Sequence, residues 1–465
     1  MKKKGTSSGL AMPPGWSKVA GISVCGSCLI VFSVMSTRVH ATQNRLGTFL
    51  IVQQDQDDNY LMSSTKQQTL AGLYLKPGIH YSHDNGFEKF SANLQGSIER
   101  YNRSEYNVNN PVSAINYQRV MERTILNFGY NASRQSTRIS EFKDSGNIVN
   151  GYTNQQTNTA TAAWQYQLSQ RNMVAANGSM QTVKYESSNY ADLKNNAIQI
   201  NWQSELSDRL SFYTVVSGSE YESTFNGEFY LEPQLIQGYL LCPPGSLLVS
   251  ETVCFSDPIP SGNAINETMS SGLQVGLKWN LQEQLKFSLS AGVTNLDTTQ
   301  TITIPEISTE YGSPIDQKVF FGGERAKTSE SRLVTTNMNI SYQLEASTIG
   351  LTLARKVQPS STGSLLRIQS LDFSIRKSLS EISWIEADFT LQNLLTIDEK
   401  IINSSSVDRD IFQGNIKYGY RLSPTLVASA SMGYRYQKAN ENRTIKANAL
   451  LGVLAISYTP REWTW

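Results

Sequence analysis

The sequence lacks long apolar runs and has few charges. After residue 45, no stretch approaches the roughly 18 consecutive apolar residues that a membrane-spanning helix requires. Charged residues make up 17% of the chain and the formal net charge is +1, so no strong field of one sign surrounds the molecule. These two absences exclude a helical membrane protein and give no reason to expect a nucleic-acid partner.

Cysteine and histidine are also scarce, with 4 and 3 residues in the chain. Beyond residue 41 the cysteines are Cys242 and Cys254, next to a Pro-Pro-Gly segment, and we expect one local disulfide between them that fastens a loop. The remaining histidines, His80 and His83, stand beside a predicted turn and on no helix that could place two ligands at metal spacing. We therefore expect no metal, no other cofactor and no catalytic residues.

Residues 1–41 have the composition of a secretory signal peptide. Lysines 2–4 and 18 form a basic region, residues 19–35 form an apolar segment, and Val39-His40-Ala41 is similar to a cleavage site. The alternatives are an uncleaved anchor helix and a lipoprotein signal at Cys25 or Cys28. We expect export with cleavage, and we assign residues 42–465 to one mature domain.

After residue 45, apolar and aromatic side chains recur at every second position. Leu273, Val275, Leu277 and Trp279, for example, alternate with polar or small residues. Segments of about ten alternating residues are typical of the strands of a transmembrane barrel. The pattern predicts about 18 strands, an even number, near residues 46–54, 69–82, 87–101, 118–131, 133–141, 158–168, 173–185, 192–203, 209–221, 268–280, 285–297, 331–343, 347–357, 366–377, 382–394, 408–420, 425–437 and 446–458.

The connections between these strands decide between a soluble sheet and a membrane barrel. Tight turns alternate with longer loops, and the longest loops are predicted at 222–267 and 298–330. Short turns on one rim and long loops on the other are typical of the periplasmic and extracellular sides of a barrel. Aromatic residues recur where strands approach the short turns, as a girdle at one membrane interface would: Tyr81, Tyr130, Trp164, Tyr166, Trp202, Trp279, Tyr342, Tyr420 and Tyr458. The sequence therefore predicts an all-β, transmembrane, antiparallel β-barrel in the outer membrane, surrounded by lipid and lipopolysaccharide.

Charged residues inside the predicted strands indicate which face lines the lumen. A lysine or arginine on the lipid face at mid-membrane costs about 2–4 kcal/mol, so such residues are expected inside. They can form a solvated ion-pair network that stiffens the wall, or their small basic surplus can favour an anionic or hydroxyl-rich solute. We expect His80 to face the lumen as well and His83 to lie in a turn. The predicted lumen-lining residues on the substrate path are Lys76, Glu99, Arg123, Lys278, Lys286, Asp372, Arg376, Glu386, Asp388, Lys417 and Arg435.

Three segments carry a resemblance to a known group. They are Gln56-Asp57-Asp58-Asn59 followed by a strand containing Pro77, the repeated strand-Leu-Ser-turn hairpins, and Gln-Pro-Ser-Ser-Thr-Gly-Ser at 358–364. Together they resemble the outer-membrane β-barrels of exopolysaccharide operons, the EpsL-like and exosortase-associated group and the porins proposed to release Wzx/Wzy-dependent polysaccharides. Trp463 and Trp465 resemble the terminal signal that the barrel-assembly machinery reads.

The resemblance implies export of a biofilm or capsule-type exopolysaccharide. It also implies two partners, a periplasmic polysaccharide export protein and an inner-membrane co-polymerase. The residues alone support a narrower expectation, a polar-lined porin that is not an enzyme. The competing hypotheses are a general diffusion porin or small-solute channel, a barrel enzyme centred on His80, and an adhesive surface barrel that uses its long loops.

Overall fold

A computed structural model describes residues 42–62, 64, 67–137, 153–187, 190–229, 234–236, 239–241, 246–250, 253–256, 259–307, 321–359, 365–397, 408–440 and 444–465. The predicted signal peptide and Cys242 lie outside the described residues, so the predicted disulfide between Cys242 and Cys254 falls there as well. Among the described residues, no helix has both the length and the apolar character needed to cross a membrane.

Nearly every described segment is a β-strand, together with a three-residue 3₁₀ helix at Ser104–Tyr106. The strands are β1 (Gln43–Asp57), β2 (Leu70–Asp84), β3 (Glu88–Tyr101), β4 (Val108–Val120), β5 (Thr124–Ser136), β6 (Asn154–Gln167), β7 (Asn172–Tyr185), β8 (Asp192–Ser207), β9 (Leu210–Phe229), β10 (Gln234–Ile236), β11 (Tyr239–Leu241), β12 (Ser246–Ser250), β13 (Val253–Ser256), β14 (Ile259–Asn280), β15 (Leu285–Ile307), β16 (Phe321–Gln343), β17 (Ser347–Pro359), β18 (Leu365–Ser378), β19 (Ser383–Thr396), β20 (Arg409–Ser423), β21 (Leu426–Asn440), β22 (Thr444–Tyr458) and β23 (Trp463–Thr464).

The sheet closes on itself. Each barrel strand pairs antiparallel with the next, β9 pairs with β14, and β22 returns to β1 with Tyr458 opposite Leu50 and Leu451 opposite Asp57. The 19-stranded sheet includes β23, a two-residue segment that pairs with the start of β1, so the remaining 18 strands form the wall. Strands β10–β13 form two separate hairpins. The predicted antiparallel barrel of about 18 strands is confirmed.

The two rims of the barrel differ as the sequence predicts. The turn rim carries the connections of two to four residues at 85–87, 121–123, 168–171, 208–209, 281–284, 344–346, 379–382 and 424–425, together with the start of β1 and the chain end. The connections at the opposite loop rim are longer on average. The loops predicted at 222–267 and 298–330 are shorter than expected, because β9 continues to Phe229, β14 begins at Ile259, β15 continues to Ile307 and β16 begins at Phe321. Above the membrane a strand no longer needs outward apolar side chains. The hydrogen-bonded pairing of the strands therefore continues beyond the point where apolar and polar residues stop alternating in the sequence.

One pair of strands was predicted in the wrong place. The expected strands 118–131 and 133–141 are instead β4 and β5, separated by a turn at residues 121–123. Met121 and Thr124 exchange backbone hydrogen bonds of 2.8 and 3.4 Å across this turn. Apolar residues on both sides of the turn, ending at Val120 and resuming at Ile125, imitate one continuous strand.

The outer surface of the barrel is apolar. Side chains such as Ile198, Leu273 and Leu454 are 59%, 54% and 61% exposed, which no packed soluble sheet would permit for so many strands. Exposed aromatics lie on this face near the turn rim: Trp164, Trp202, Trp279, Tyr420 and Tyr458. The barrel is therefore built to be surrounded by lipid.

The buried apolar residues lie on the inside, towards the loop rim. Leu366, Ile368, Leu394 and Ile411 form one cluster on the inward face of β18–β20. Tyr221, Leu296 and Leu365 form another, which links β9, β15 and β18. The lumen is thus packed with apolar side chains near the loop rim and lined by polar ones below.

Candidate functional site

Strand alternation assigns every barrel residue to the lipid or to the lumen. Lys278, for example, lies between the exposed Leu277 and Trp279 and therefore points inward. The same register places ten of the predicted residues on the inward face, and His80 with them: Lys76, Glu99, Lys278, Lys286, Asp372, Arg376, Glu386, Asp388, Lys417 and Arg435. Their placement does not test whether they contact a solute.

Arg123 does not lie in the lumen. It is an exposed residue of the tight turn at 121–123, because the strand to which it was assigned is interrupted there. His83 was expected in a turn, but it lies in the last part of β2, where its Nδ1 is 2.9 Å from Asn44 Oδ1. Neither correction moves a group into the lumen.

The inward charges are concentrated on one side of the barrel. We call the inward faces of β18–β22 and β1–β3 the charged arc; they carry Asp55, Asp57, Lys76, Glu99, Asp372, Arg376, Glu386, Asp388, Lys417 and Arg435. We call the inward faces of β4–β9 and β14–β17 the amide arc; they present residues such as Asn177, Gln199, Gln274 and Asn337, with Lys278 and Lys286 beside a tight turn.

A buried ion pair closes the barrel on the charged arc. Arg435 on β21 contacts Asp57 on β1, reaching across β22, and 14% and 2% of the two side chains are exposed. A charge removed from water in this way must be paired, because an isolated buried carboxylate is strongly unfavourable. The pair therefore links the last strands of the wall to the first.

A chain of hydroxyl groups joins two further acids on the same arc. Tyr74 donates to Asp55 at 2.5 Å, Tyr101 donates to Glu99 at 2.9 Å, and the two phenol oxygens are 2.7 Å apart. The two phenol rings therefore bridge Asp55 on β1 and Glu99 on β3.

The inward face of β18–β20 holds a more open cluster. Glu386 lies 3.1 Å from Arg376 and 3.7 Å from Lys417. Asp372 accepts hydrogen bonds from Thr390 at 2.8 Å and Ser370 at 3.1 Å. Asp388 is exposed to the lumen and forms no ion pair with any described residue.

Aromatic rings lie flat against both arcs, each over an inward glycine of the neighbouring strand. A Cβ atom added to Gly78, Gly419 or Gly276 would come within 2.1, 2.3 or 2.4 Å of the rings of Phe49, Trp384 and Tyr213. Cations lie near two of these rings: Arg376 is 5.6 Å from the Trp384 ring centre and Lys278 is 5.2 Å from that of Tyr213. Sequence reasoning missed these pairs, although an inward aromatic opposite an inward glycine is a pattern that the register could have revealed.

The charged arc encloses a lumen cavity of about 730 Å³, lined from β18 through β22 and β1 to β5. The loop after β1 folds over it. Met62 packs on the inward-facing Ala447 and Ala449 of β22, and the side-chain amide of Asn59 donates to the carbonyl oxygen of Asn448 at 2.8 Å. These contacts hold the loop against the inner face of β22, next to the ion pair of Asp57 and Arg435.

No cluster of three or more histidine, cysteine, aspartate or glutamate side chains within the described ranges is arranged to hold a metal ion. The lumen offers charges, hydrogen-bonding groups and ring faces. Hydroxyls, amides and carboxylates line it on all sides, as in a polar conduit.

No protein-family model matches the sequence, and no curated protein matches it. Solved structures do match. The closed form of the ferric-catecholate import receptor Fiu from E. coli K12 aligns with a TM-score of 0.50 and 10% identity, over 90% of this chain and 82% of that one. The outer membrane protein opdK from Pseudomonas aeruginosa aligns with a TM-score of 0.39 and 9% identity, over 90% and 99% of the two chains.

At these identities, the likeness to the import receptor shows the fold alone. The fold is that of outer-membrane barrels, and the outward-facing side chains form the apolar belt that such a barrel presents to lipid. Together they place the protein in the outer membrane, with its polar face turned to the lumen.

Proposed function

We propose that the protein is an outer-membrane channel that conducts small hydrophilic solutes. The observation that carries the proposal is the closed 18-stranded wall with a polar inward face and an apolar outward face. A barrel of this circumference is wide enough to leave an aqueous path unless side chains or loops fill it.

Conductance across a lipid bilayer tests this proposal. Purified protein reconstituted in planar bilayers is expected to give discrete current steps in KCl, and liposomes that contain it are expected to swell in small sugars. Gln199→Trp places a large ring in the lumen, whereas Ile198→Trp on the same strand places it in lipid. We expect the first variant to lower the conductance and the second to leave it unchanged; an electrically silent folded barrel would refute the channel.

Export of an exopolysaccharide is a second proposal for the same lumen. It is supported by the rings of Phe49, Tyr213 and Trp384, because a flat aromatic face beside hydrogen-bonding groups suits a sugar ring. An extended glycan would slide past many weak contacts of this kind. The periplasmic export protein and the inner-membrane co-polymerase belong to this proposal, as does assembly through the terminal aromatic residues.

A deletion strain separates the two proposals. Export predicts that surface polysaccharide and biofilm disappear in the deletion strain while the outer membrane stays intact, and that the intact gene restores them. Lys278→Gln with Arg376→Gln should restore them poorly, whereas Arg123→Gln should restore them fully, because Arg123 lies in a turn outside the lumen. Unchanged surface polymer in the deletion strain would leave the small-solute channel alone.

A further inference from the structure

The lumen cavity beneath the β1–β2 loop has an excess of negative charge. The carboxyl groups that line it belong to Asp55, Asp57, Glu99, Asp372 and Asp388, and the cations to Lys76, Arg134 and Arg435. The small basic surplus expected from the sequence is therefore wrong for this part of the lumen. Asp55 and Asp57 were left out of that expectation, and Arg123 was included although it lies in a turn.

Two of the three cations are already paired. Arg435 contacts Asp57, and Arg134 contacts Glu186, which is not among the cavity-lining residues. The ammonium group of Lys76 donates to Gln53 at 3.1 Å. Among the cations that line the cavity, this leaves Lys76 to balance the remaining acids; Lys417, which does not line the cavity, is paired with Glu386.

Two acids of the cavity are not held in an ion pair with any described residue, although the charge of Lys417 on the neighbouring strand acts on one of them, Asp388. Asp372 is bound by two hydroxyl groups, and Asp388 is exposed to the lumen; neither forms an ion pair among the described residues. Five acidic residues line the cavity against three basic ones, so the cavity carries a net negative charge. In a lumen where water is confined, this charge acts on a passing ion more strongly than it would in bulk solvent.

An unused acceptor points to the kind of group that binds. Asn110 lines the cavity, is 6% exposed and donates its amide group to Glu99 at 3.2 Å, but its carbonyl oxygen has no partner within the described part of the chain. A buried acceptor without a donor is costly, and an N–H group supplies what it lacks. The neighbouring Gln392, Gln413 and Asn415 add further amide groups to the wall.

From these observations we infer that the cavity is a selectivity site for solutes that carry a positively charged amino group, such as polyamines or basic amino acids. The inference rests on the proposed channel function and adds its preferred substrate class. An ammonium group gains attraction from Asp372, Asp388, Asp55 and Glu99, and one of its N–H groups can donate to the carbonyl oxygen of Asn110. A cavity of about 730 Å³ is large enough for such a solute.

Reversal potentials in planar bilayers test the inference. In a KCl gradient the wild-type channel is expected to pass K⁺ in preference to Cl⁻. Asp372→Asn with Asp388→Asn should lower the permeability ratio about two- to threefold, because it removes the unpaired charges and keeps the side-chain shapes. Asp297→Asn is the matched control, since Asp297 is an exposed acid on the outward face of β15.

Spermidine provides the second readout. It is expected to block the wild-type current at low concentration and to require several-fold more in the double variant, whereas an uncharged sugar should block both equally. Asp388→Asn alone serves if the double variant does not fold, because that side chain is exposed and forms no ion pair with the described residues.

A channel that prefers Cl⁻, or whose permeability ratio and spermidine block do not change in these variants, overturns the inference and leaves the channel function standing. Absence of any current refutes the channel, and the selectivity with it.

Discussion

The charged arc and the amide arc line the same lumen but hold their polar groups in different ways. On the charged arc, one ion pair is buried, that of Asp57 with Arg435. On the amide arc, neutral groups bond across the strands: Gln274 donates to Ser290 at 2.6 Å, and the Thr268 and Thr298 hydroxyls are 3.1 Å apart. A neutral pair can be lost at small cost, whereas a broken buried ion pair leaves a charge without a partner.

The two arcs nevertheless share one packing device. Trp384 covers Gly419 on the charged arc, and Tyr213 covers Gly276 on the amide arc. In both places a glycine lets a ring lie flat on the wall, so the ring fills little of the lumen. The arcs therefore differ in charge and not in the way that large side chains are accommodated.

Breaking the buried pair should have the largest effect. Arg435→Met leaves Asp57 buried and unpaired, and we expect the free energy of unfolding to fall by about 3–5 kcal/mol. Urea unfolding in lipid vesicles, followed by tryptophan fluorescence, measures the change. Lys278→Met is the matched change on the amide arc, where an exposed ammonium group donates to Gln203, and we expect it to cost less than about 1 kcal/mol.

The double variant Asp57→Asn with Arg435→Met sharpens this comparison. It removes both charges, so we expect most of the lost stability to return. If Arg435→Met and Lys278→Met cost the same, the burial of the pair has no energetic consequence and the contrast between the arcs fails.

Adding a methyl group under a ring should have the next largest effect, and it should appear on both arcs. In Gly419→Ala and Gly276→Ala, the new Cβ would overlap the rings of Trp384 and Tyr213, and displacing a ring should cost about 1–3 kcal/mol. The cost should be larger at Gly276, where the Cβ would also lie 2.7 Å from the backbone carbonyl oxygen of Leu289. Gly452→Ala is the control, because nothing lies within 4 Å of a Cβ atom there. The same unfolding measurement applies, and a loss on one arc alone would contradict a shared device.

The sequence predicts the fold well wherever lipid contacts the wall. Strands such as β14 and β15 show regular alternation from residue 273 to 279 and from 285 to 293, because each outward residue must be apolar. The alternation stops beyond residue 293, where β15 rises above the apolar belt and both faces can be polar. The ends of the long strands could not be predicted for that reason.

The site was harder to predict, because the lumen tolerates any polar residue. Asp55 and Asp57 were missed since the segment Gln-Gln-Asp-Gln-Asp at 53–57 is polar on both faces and gives no register signal. Arg123 was misplaced because the turn beside it has apolar flanks. The pairing of Arg435 with Asp57, 378 residues apart, depends on barrel closure and has no local signature.

Loosening the loop after β1, which packs on the charged arc, should have a smaller effect, and the effect should be on conductance instead of stability. Met62 has a backbone φ of 48° and packs on Ala447 and Ala449. Met62→Ala removes this packing, so the loop should be held against β22 less firmly, by hydrogen bonds such as that of Asn59 with Asn448, and the single-channel conductance should rise. Met62→Gly also relieves the left-handed backbone conformation, worth about 1–2 kcal/mol, and separates the two contributions. Equal conductance in all three proteins would show that the loop does not narrow the lumen.

The smallest effect concerns the stability, at high pH, of the contact between the loop after β1 and the loop after β3. Burial and the hydroxyl group of Tyr60, 2.9 Å away, raise the pKa of Tyr106 from 10.0 to about 12. A phenol whose pKa is raised on folding stabilises the folded loop below pH 10 and loses that contribution as the pH rises towards 12, because the ionised form is favoured in the unfolded loop. Ultraviolet titration of tyrosine ionisation should therefore show one late-titrating group that Tyr106→Phe removes, while the variant keeps the ring contact with Tyr60 at 5.1 Å. If the titration curves of the two proteins differ only by a group that ionises near pH 10, Tyr106 is solvated and its contact with Tyr60 is broken on the timescale of the measurement.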